Sequence, residues 1–316
     1  MPAYDTVAVI GAGVMGHALA LVHALGGCKV RLNDRSSDRL DWAKGRITAL
    51  SEDLAALGIA DPVDLAAAAD RIRYVTDLAE AVRDTNLVVE AIIEDADIKR
   101  AFYETLLPVL PEAAVVASNT SFLDVFPLMP EALRRRALIV HWYTPPYLID
   151  LVDVVPAPGL APEMARTMVD FLTALGKKPV LLKKFVPGYI ANNVQMAIEA
   201  EVFRLLDAGV AEVAEIDDAI RFGLAQRLCL MGQFKKIDYT GLQVVRDIHA
   251  AGLYEPPSMP TGTPKLDELL TEDATGLLSG CGFYDYGEQS AETFLNRRDR
   301  KLVRLKQALA DDDEPL

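Results

Sequence analysis

Residues 5–35 read DTVAVIGAGVMGHALALVHALGGCKVRLNDR, and this stretch decides the fold of the chain that follows it. It opens with a short apolar, β-branched run over residues 6–10 that predicts a buried parallel strand. A glycine-rich turn follows at once, and then an apolar-periodic helix to about residue 25. A second predicted strand over residues 29–32 closes a strand–turn–helix–strand unit whose turn is suited to a bound phosphate.

The three glycines of the turn have separate physical roles in such a unit. Gly11 permits the tight turn, Gly13 lets a pyrophosphate approach the bare backbone, and Gly16 lets helix and strand pack closely. The helix N-terminus adds free N–H groups and a partial positive charge. We therefore predict a dinucleotide site, with Met15 of the same turn among its contacts. The alternative is a glycine turn that binds nothing.

Asp34 follows the second predicted strand, where a carboxylate accepts hydrogen bonds from the adenosine ribose hydroxyls. Its negative charge would repel the 2′-phosphate of NADP, so the predicted cofactor is NAD. The neighbouring Arg35 works against that preference.

The composition excludes several classes of function. At 316 residues the chain is long enough for about two domains, and its net charge of −14 disfavours general binding to nucleic acid. Three scattered cysteines suit a reducing cytoplasm and predict neither a disulfide framework nor a metal site. No apolar run approaches the roughly 18 residues of a membrane span, and no secretion signal is evident. We expect a cytoplasmic protein with no membrane partner.

Buried apolar runs alternate with helical patterns as far as about residue 183. This alternation predicts an α/β fold of the Rossmann type, with a doubly wound, mostly parallel sheet, over residues 1–185. After the first two strands, the predicted strands are residues 73–75, 87–91, 114–118, 137–140, 151–155 and 180–183.

The pattern changes at VPGY, residues 186–189, and beyond it strand-like runs nearly vanish. We predict an all-helical C-terminal domain over residues 186–316. A terminal amphipathic helix over residues 294–309 has a basic face, which we interpret as a solvated surface or dimer edge. Membrane or nucleic-acid binding is the alternative for that face. The other long helical patterns are residues 190–208, 214–222 and 239–250.

His141 lies at the carboxyl end of a predicted strand, the edge at which doubly wound sheets bind their ligands. An imidazole there can act as an acid or base near neutral pH. Asp153 follows a proline turn, far enough along for the chain to return on an adjacent strand. Its carboxylate could hold the imidazole tautomer and stabilise the imidazolium. The alternative is a purely structural histidine–aspartate pair.

Several short motifs occur in order along the chain. They are GAGVMG (11–16), VVEAIIED (88–95), SNTS (118–121), HWYTPPYLIDLVDVV (141–155), VPGYIANN (186–193), GQFKKIDYTGL (232–242) and GCGFYDY (280–286). Together they resemble the L-3-hydroxyacyl-CoA dehydrogenase family over nearly the full length. The resemblance implies an NAD-dependent oxidoreductase acting on CH–OH groups, and a homodimer formed through the helical domain.

The resemblance also implies roles for individual residues. His141 matches the histidine that removes the proton of the 3-hydroxyl while hydride leaves C3 for the nicotinamide. Asp153 matches the glutamate that orients this histidine, one methylene shorter. Ser121 matches the serine that contacts the substrate oxygen, and Asn192 the asparagine that helps to polarise it. The cofactor contacts carry over to Asp34, Glu94, Lys99 and Asn119.

The chain departs from the family pattern at Thr144, where the family has asparagine, and at Gln233, where it has proline. The helices that carry lysines for the CoA phosphates correspond to residues 47–70, which contain acids and no lysine or arginine. The proline turn and residues 223–231, GLAQRLCLM, resemble the branch of L-gulonate and carnitine 3-dehydrogenases, which act on free hydroxy acids. Arg227 in that segment could bind a carboxylate through two parallel hydrogen bonds; the alternative is a structural ion pair.

Three hypotheses follow. The favoured one is an NAD-dependent dehydrogenase that oxidises the secondary alcohol at C3 of a free 3-hydroxy acid. The second keeps a 3-hydroxyacyl-CoA thioester as the substrate. The third is an NAD-binding structural or regulatory protein whose chemistry has decayed, as Thr144, Asp153 and Gln233 suggest; retention of His141 and Asn192 argues against it.

Overall fold

The computed structural model describes residues 3–258 and 263–310, and the chain divides into two compact units, Met1–Tyr189 and Ile190–Leu316. The sequence pattern placed the change of domain just before the VPGY segment, whereas the structure divides the chain just after it. Tyr189 belongs to the first unit because its side chain is buried there and its hydroxyl donates a hydrogen bond to the carbonyl oxygen of Thr120 at 2.6 Å.

The first unit is built on a single sheet of eight strands. They are β1 (Thr6–Ile10), β2 (Lys29–Asn33), β3 (Ile72–Val75), β4 (Leu87–Glu90), β5 (Val115–Ser118), β6 (Ala137–Trp142), β7 (Leu151–Pro156) and β8 (Lys178–Leu181). Their order across the sheet is β3-β2-β1-β4-β5-β6-β7-β8. The strands from β3 to β6 in this order run parallel, β7 is antiparallel to β6, and β8 is parallel to β7. The predicted mostly parallel, doubly wound sheet is confirmed.

Helices cover both faces of the sheet, because successive residues of a strand point to opposite sides. In β1, Val7 and Val9 belong to one hydrophobic core, and Ala8 and Ile10 belong to the other. The helices of this unit are α1 (Gly16–Leu25), α2 (Ser37–Ala56), α3 (Pro62–Asp70), α4 (Leu78–Val82), α5 (Ala96–Leu106), α6 (Glu131–Arg134) and α7 (Pro162–Ala174).

Two strands differ from their predicted bounds in a way that matters for the site. β6 continues through Trp142, which pairs with Val152, so His141 lies within the strand and not just past its end. β8 was predicted at residues 180–183 but occupies Lys178–Leu181, because its ladder with β7 begins at Lys178. The sequence of this edge strand has no continuous apolar run to mark that start.

The second unit is helical in the residues described. A π-helical segment, Ala219–Ala225, connects its second and third helices, and the third breaks at Gly232, where φ is 67° and ψ is −177°. No helix in the described part of the chain is long and apolar enough to cross a membrane. The helices are α8 (Ala191–Asp207), α9 (Val213–Asp218), α10 (Gln226–Thr240), α11 (Leu242–Ala250), α12 (Pro264–Thr271) and α13 (Ala291–Ala310).

Candidate active site

The glycine turn between β1 and α1 is packed so closely that two of its glycines admit no side chain. Gly11 has a φ of +97°, and a Cβ there would lie 2.6 Å from the carbonyl oxygen of Ala91. A Cβ on Gly16 would lie 1.7 Å from the carbonyl oxygen of Gly11. Gly13 differs, because the nearest non-neighbouring atom to its missing Cβ is a guanidinium nitrogen of Arg39 at 3.6 Å. The turn is therefore open at Gly13, where a diphosphate would approach.

The first turn of α1 and the end of β2 complete a dinucleotide cradle. Met15, at the N-cap of α1, makes no side-chain capping bond, and the first turn of the helix can offer backbone N–H groups to an anion, although that of His17 already donates to the carbonyl oxygen of Gly13 at 3.3 Å. The carboxylate of Asp34 accepts hydrogen bonds from the backbone N–H of Ala12 at 3.0 Å and of Ser36 at 3.1 Å. These residues fit NAD, with the diphosphate at the turn and the adenosine ribose beside Asp34.

β6 and β7 bring His141 and Asp153 face to face, because the two residues are register partners in the antiparallel ladder. Nδ1 of His141 lies 3.6 Å from Oδ2 of Asp153, and both side chains are buried. Among the described residues, Nδ1 of His141 and Oδ1 of Asp153 find no hydrogen-bond partner. A buried polar atom left without a partner costs about 1–3 kcal/mol, and a catalytic role is one reason for a protein to retain it.

Two tyrosines enclose the imidazole. Their ring centroids lie 4.6 Å (Tyr143) and 4.8 Å (Tyr189) from that of His141. The Tyr143 hydroxyl donates to Oδ2 of Asp153 at 2.6 Å, the same oxygen that faces the histidine. Burial raises the pKa of Tyr189, and the carboxylates of Glu94 and Asp153 raise it further, so Tyr189 remains a neutral phenol. The histidine thus sits in an aromatic pocket with one carboxylate at its Nδ1 side.

Asn119 and Ser121 belong to the loop that follows β5. The backbone N–H of Asn119 donates to the carbonyl oxygen of Glu90 at 2.8 Å, and its side-chain oxygen accepts from the N–H of Trp142 at 2.9 Å. Asn119 thereby ties this loop to β6 beside His141. The carbonyl oxygen of Ser121 accepts from the N–H of Gly188. The structure therefore brings Asn119 close to the histidine, with Ser121 two residues further along the same loop.

Glu94 holds the same loop from the other side. Its carboxylate accepts hydrogen bonds from the backbone N–H groups of Ser121 at 2.9 Å, Phe122 at 2.6 Å and Leu123 at 3.0 Å, and from the Thr120 hydroxyl at 3.1 Å. Burial alone would raise the pKa of this carboxyl, but the four donors outweigh it and lower the pKa. The resemblance made Glu94 a cofactor contact, whereas in the structure its carboxylate is engaged by the loop.

Lys99 lies in a buried polar network at the end of β4. Its ammonium donates to Oε1 of Glu90 at 2.5 Å, and the hydroxyls of Tyr103 and Ser118 donate to Oε2 at 2.8 and 2.6 Å. Lys99 is 1% exposed, and Glu90 is fully buried. The charge of Lys99 is thus paired inside the fold, and its direct contact with the cofactor stays a prediction from the resemblance. The network supports the end of β4, where the carbonyl oxygen of Glu90 accepts a hydrogen bond from the backbone N–H of Asn119.

A buried lysine anchors the proline turn between β6 and β7. The ammonium of Lys177 donates to the carbonyl oxygens of Pro146 at 2.7 Å and Ile149 at 3.1 Å. At the start of the same turn, the hydroxyl of Thr144 donates to Sδ of Met15 at 3.3 Å. Thr144, which replaces the asparagine of the family pattern, thus contacts the glycine turn.

The remaining candidates lie in the helical unit. Asn192 is half-buried in the first turn of α8. Arg227, near the start of α10, is exposed. Its Nε donates to the carbonyl oxygen of Gly223 at 2.9 Å, and it forms no salt bridge with any residue that the structure describes. The guanidinium is accordingly not committed to a structural acid there.

Sequence reasoning missed two residues that shape the site. Tyr143 was not singled out. It could have been, because it lies two residues beyond His141 and the acid expected to face that histidine, Asp153, is one methylene shorter than the glutamate of the family pattern. Nothing in the sequence marks Lys177 as an anchor, because its ammonium donates hydrogen bonds to backbone carbonyl oxygens that come together only in the folded turn. Over residues 3–258 and 263–310, no group of histidine, cysteine, aspartate or glutamate side chains could hold a metal ion.

A dinucleotide cradle beside a buried histidine–carboxylate pair is the arrangement of NAD-dependent dehydrogenases. Residues 6–185 match the NAD binding domain of 3-hydroxyacyl-CoA dehydrogenase, and residues 188–286 match the C-terminal domain of that enzyme. The chain belongs to the 3-hydroxyacyl-CoA dehydrogenase family. It is an NAD-dependent oxidoreductase acting on CH–OH groups.

Two curated relatives and one solved structure illustrate the range of the family. The chain is 28% identical over 304 residues to 5-formyl-3-hydroxy-2-methylpyridine 4-carboxylate 5-dehydrogenase of Mesorhizobium japonicum, covering 96% of this chain and 97% of the relative. It is 32% identical over 290 residues to the mitochondrial hydroxyacyl-coenzyme A dehydrogenase of Homo sapiens, covering 89% and 90%. A crystal structure of the pyridine-carboxylate 5-dehydrogenase, described as an NAD+-dependent dismutase, superposes with a TM-score of 0.87 at 27% identity, covering 98% of this chain and 99% of that one.

Proposed function

We propose that this protein oxidises the secondary alcohol at C3 of a free 3-hydroxy acid. The observation that carries the proposal is the buried pair of His141 and Asp153, in which Nδ1 of the imidazole faces a carboxylate. Such a pair is suited to remove a hydroxyl proton near neutral pH. NAD supplies the hydride acceptor when it is bound.

The chain's own residues handle the proton and the reacting oxygen. His141, with its proton on Nδ1, accepts the substrate hydroxyl proton at Nε2. The imidazolium that results is stabilised by Asp153, whose Oδ2 is 3.6 Å from Nδ1 and closes on it as positive charge develops. Ser121 and Asn192 bind the substrate oxygen and polarise it. Burial of the pair excludes water, which strengthens these interactions.

The cofactor is bound by the cradle of the first unit. Gly11, Gly13, Met15 and Gly16 form the diphosphate side, and Asp34 binds the adenosine ribose. Asn119 contacts the nicotinamide half of NAD from the loop after β5. Glu94 and Lys99 are further cofactor contacts that the resemblance implies, and their charged groups also hold the loop and the strand end on which the other contacts depend.

Two features support a free acid as the substrate. Residues 47–70 contain no lysine or arginine, so the C-terminal part of α2 and all of α3 offer no basic side chain to the phosphates of CoA. The relative from Mesorhizobium japonicum is named for a pyridine carboxylate, a small acid without CoA, and it matches almost end to end. Arg227 supplies the cation for the carboxylate, since it has no acidic partner among the described residues.

A 3-hydroxyacyl-CoA thioester is the second candidate substrate. The observation in its favour is that relatives 31–33% identical to this chain are named hydroxyacyl-coenzyme A dehydrogenases. Both substrates use the same histidine chemistry at C3, so they differ only in what binds the far end of the molecule.

A substrate panel with and without Arg227 separates the two candidates. Because a hydrogen bond to a charged group is worth about 1.5–3 kcal/mol, Arg227→Met should lower kcat/KM for 3-hydroxybutyrate by roughly 10–100-fold and leave NAD affinity unchanged. Arg246→Met, another exposed arginine of the helical unit, is the matched control and should have little effect. Preferred turnover of 3-hydroxybutyryl-CoA, unaffected by Arg227→Met, would establish the thioester as the substrate instead.

We also propose that the protein acts as a homodimer in the cytoplasm. Large apolar side chains of the helical unit are exposed in the single chain, among them Phe234, Leu253 and Leu278. A second copy would bury them by the commonest symmetry of soluble oligomers. The three cysteines are free, in keeping with a reducing compartment.

A further inference from the structure

Oδ2 of Asp153 is shared unequally between two groups. It accepts a hydrogen bond from the hydroxyl of Tyr143 at 2.6 Å, whereas Nδ1 of His141 is 3.6 Å away, beyond hydrogen-bond reach. The carboxylate is therefore bound by the phenol, and the imidazole faces it without a bond. Oδ1 of Asp153 and Nδ1 of His141 both lack partners among the described residues.

Strand geometry explains how the phenol reaches this position. Residues two apart on an extended chain point to the same side, so Tyr143 projects beside His141 as the chain leaves β6. Asp153 stands directly opposite His141 on β7. Aspartate is one methylene shorter than glutamate, which leaves its carboxylate short of the imidazole and within reach of the tyrosine hydroxyl. The short acid and the phenol thus complement each other.

We propose that Tyr143 is a positioning residue, whose hydroxyl holds the carboxylate of Asp153 in place and withdraws part of its charge from His141. The inference rests on the proposed role of His141 as the general base. With the phenol bound, the carboxylate has less charge to offer the imidazole and favours the imidazolium less strongly. As the imidazole takes up the substrate proton, the carboxylate turns from the phenol toward Nδ1.

The charged and titratable groups around the imidazole are few. Asp153 faces it from β7, Tyr143 from the end of β6, and Tyr189 from the segment after β8. Burial raises the pKa of Tyr189, and the carboxylates of Glu94, Asp153 and Asp124 raise it further. On the opposite face of β6, a histidine of α1 packs against Trp142 and not against His141.

The pH profile of kcat/KM tests the charge-withdrawing effect. Tyr143→Phe retains the ring that packs on the imidazole and removes only the hydroxyl. The full carboxylate charge then favours the imidazolium, so the acid limb of the profile should move up by about one pH unit. Tyr74→Phe, which removes a half-buried phenol from β3, should leave the limb in place. An unshifted limb in Tyr143→Phe would overturn the proposal, because a role in packing alone does not move it.

Restoring the longer acid tests the positioning effect. In the presence of the phenol, Asp153→Glu should lower kcat by about tenfold or more, because the extra methylene drives the carboxylate into the tyrosine. In a Tyr143→Phe background the longer acid can reach Nδ1, so the double variant should recover most of that loss. Losses that simply multiply would show that the two residues are not coupled and would overturn the proposal.

One further variant separates this inference from the function on which it rests. His141→Ala should lower kcat by about 10²–10⁴-fold, with the protein folded and NAD binding intact. If His141→Ala has no effect, the proposed base is wrong. If His141 is required while Tyr143→Phe and the double variant behave independently, only the role of Tyr143 is wrong.

Discussion

The carboxylate of Asp34 accepts two backbone hydrogen bonds that bear on the choice between NAD and NADP. It accepts backbone hydrogen bonds from Ala12 in the glycine turn and from Ser36 at the start of α2, so it is fixed in position before any cofactor arrives. Its remaining lone pairs can accept from ribose hydroxyls, and its fixed charge opposes a 2′-phosphate. The adjacent Arg35 is exposed, and no hydrogen bond draws it toward the turn in the described structure.

Replacement of this one carboxylate should narrow the preference for NAD. Asp34→Asn keeps an oxygen acceptor for one of the two backbone N–H groups and removes the charge, so the ratio of kcat/KM for NAD over NADP should fall by roughly 10²-fold. Steady-state kinetics with both cofactors measure the ratio. Asp38→Asn, an exposed acid of α2, is the control and should leave it unchanged. Equal use of both cofactors by the unaltered protein would contradict the role of Asp34.

Individual site residues were predictable where chemistry depends on position along a strand, and not where it depends on side-chain geometry. His141 and Asp153 were paired from the length of the turn between them, and the antiparallel ladder places them opposite each other. The burial of Lys99 against Glu90 could not be predicted from the sequence, because a lysine nine residues after a glutamate gives no indication of where its ammonium group points. The bond from Tyr143 depends on ångström distances across two strands.

At the scale of elements, the loop after β5 owes its shape to one distant carboxylate. Glu94 lies beyond β4, and its oxygens receive three successive backbone N–H groups of residues 121–123. These donors favour the charged form, and the pKa of Glu94 is lowered accordingly. A group with a depressed pKa in the folded state stabilises the fold above its unfolded pKa and loses that effect as pH falls.

The contribution of this carboxylate should therefore depend on pH. At pH 7, Glu94→Gln should reduce the free energy of unfolding by about 1 kcal/mol, a modest value for a partly exposed group. As the pH falls from about 4 toward the lowered pKa, the unaltered protein loses its own charge and the difference should shrink. Urea unfolding at several pH values measures it, with the exposed Glu104→Gln as control. A difference that persists undiminished in acid would contradict this account.

The strands were predicted to within a few residues because most are continuous buried apolar runs, such as the Leu-Val-Val of β4. β8 was displaced by two residues because its sequence is not such a run, and its register is set by β7. The helical unit was less predictable in detail. The helical patterns were predicted at residues 214–222 and 239–250, whereas the structure has a π-helical segment at Ala219–Ala225 and a helix from Gln226 to Thr240 that breaks at Gly232.

At the scale of the whole molecule, the helical unit has more apolar surface than it can bury alone. Few of its described residues are fully buried, Ala200 and Leu269 among them, whereas Leu242, Val244 and Ile248 of α11 are exposed. Exposed apolar surface of this extent is typical of an interface. Because a chain of net charge −14 repels its own copies, the proposed homodimer would have to be stabilised by the burial of apolar surface.

Light scattering at micromolar concentration should therefore give about twice the chain mass of 34.4 kDa. Ile248→Asp places a charge on the exposed side of α11 and should shift the protein toward monomer. Val63→Asp makes the same change at an exposed apolar position of the NAD-binding unit and should leave the mass unchanged. A monomer in the unaltered protein would exclude the homodimer.

The antiparallel direction of β7 fixes the position of Asp153 relative to His141 independently of the segment that connects the two strands. His141 and Asp153 are cross-strand neighbours in an antiparallel hairpin, so the hydrogen-bonded ladder sets the spacing between them. Beyond Tyr143, the connecting segment up to Asp150 can change in length or sequence without moving either residue, provided that its buried lysine anchor finds carbonyls to bind. An exchange of this segment would therefore leave the cross-strand pair of His141 and Asp153 in place, so the pair can be inherited unchanged while the segment beside it diverges.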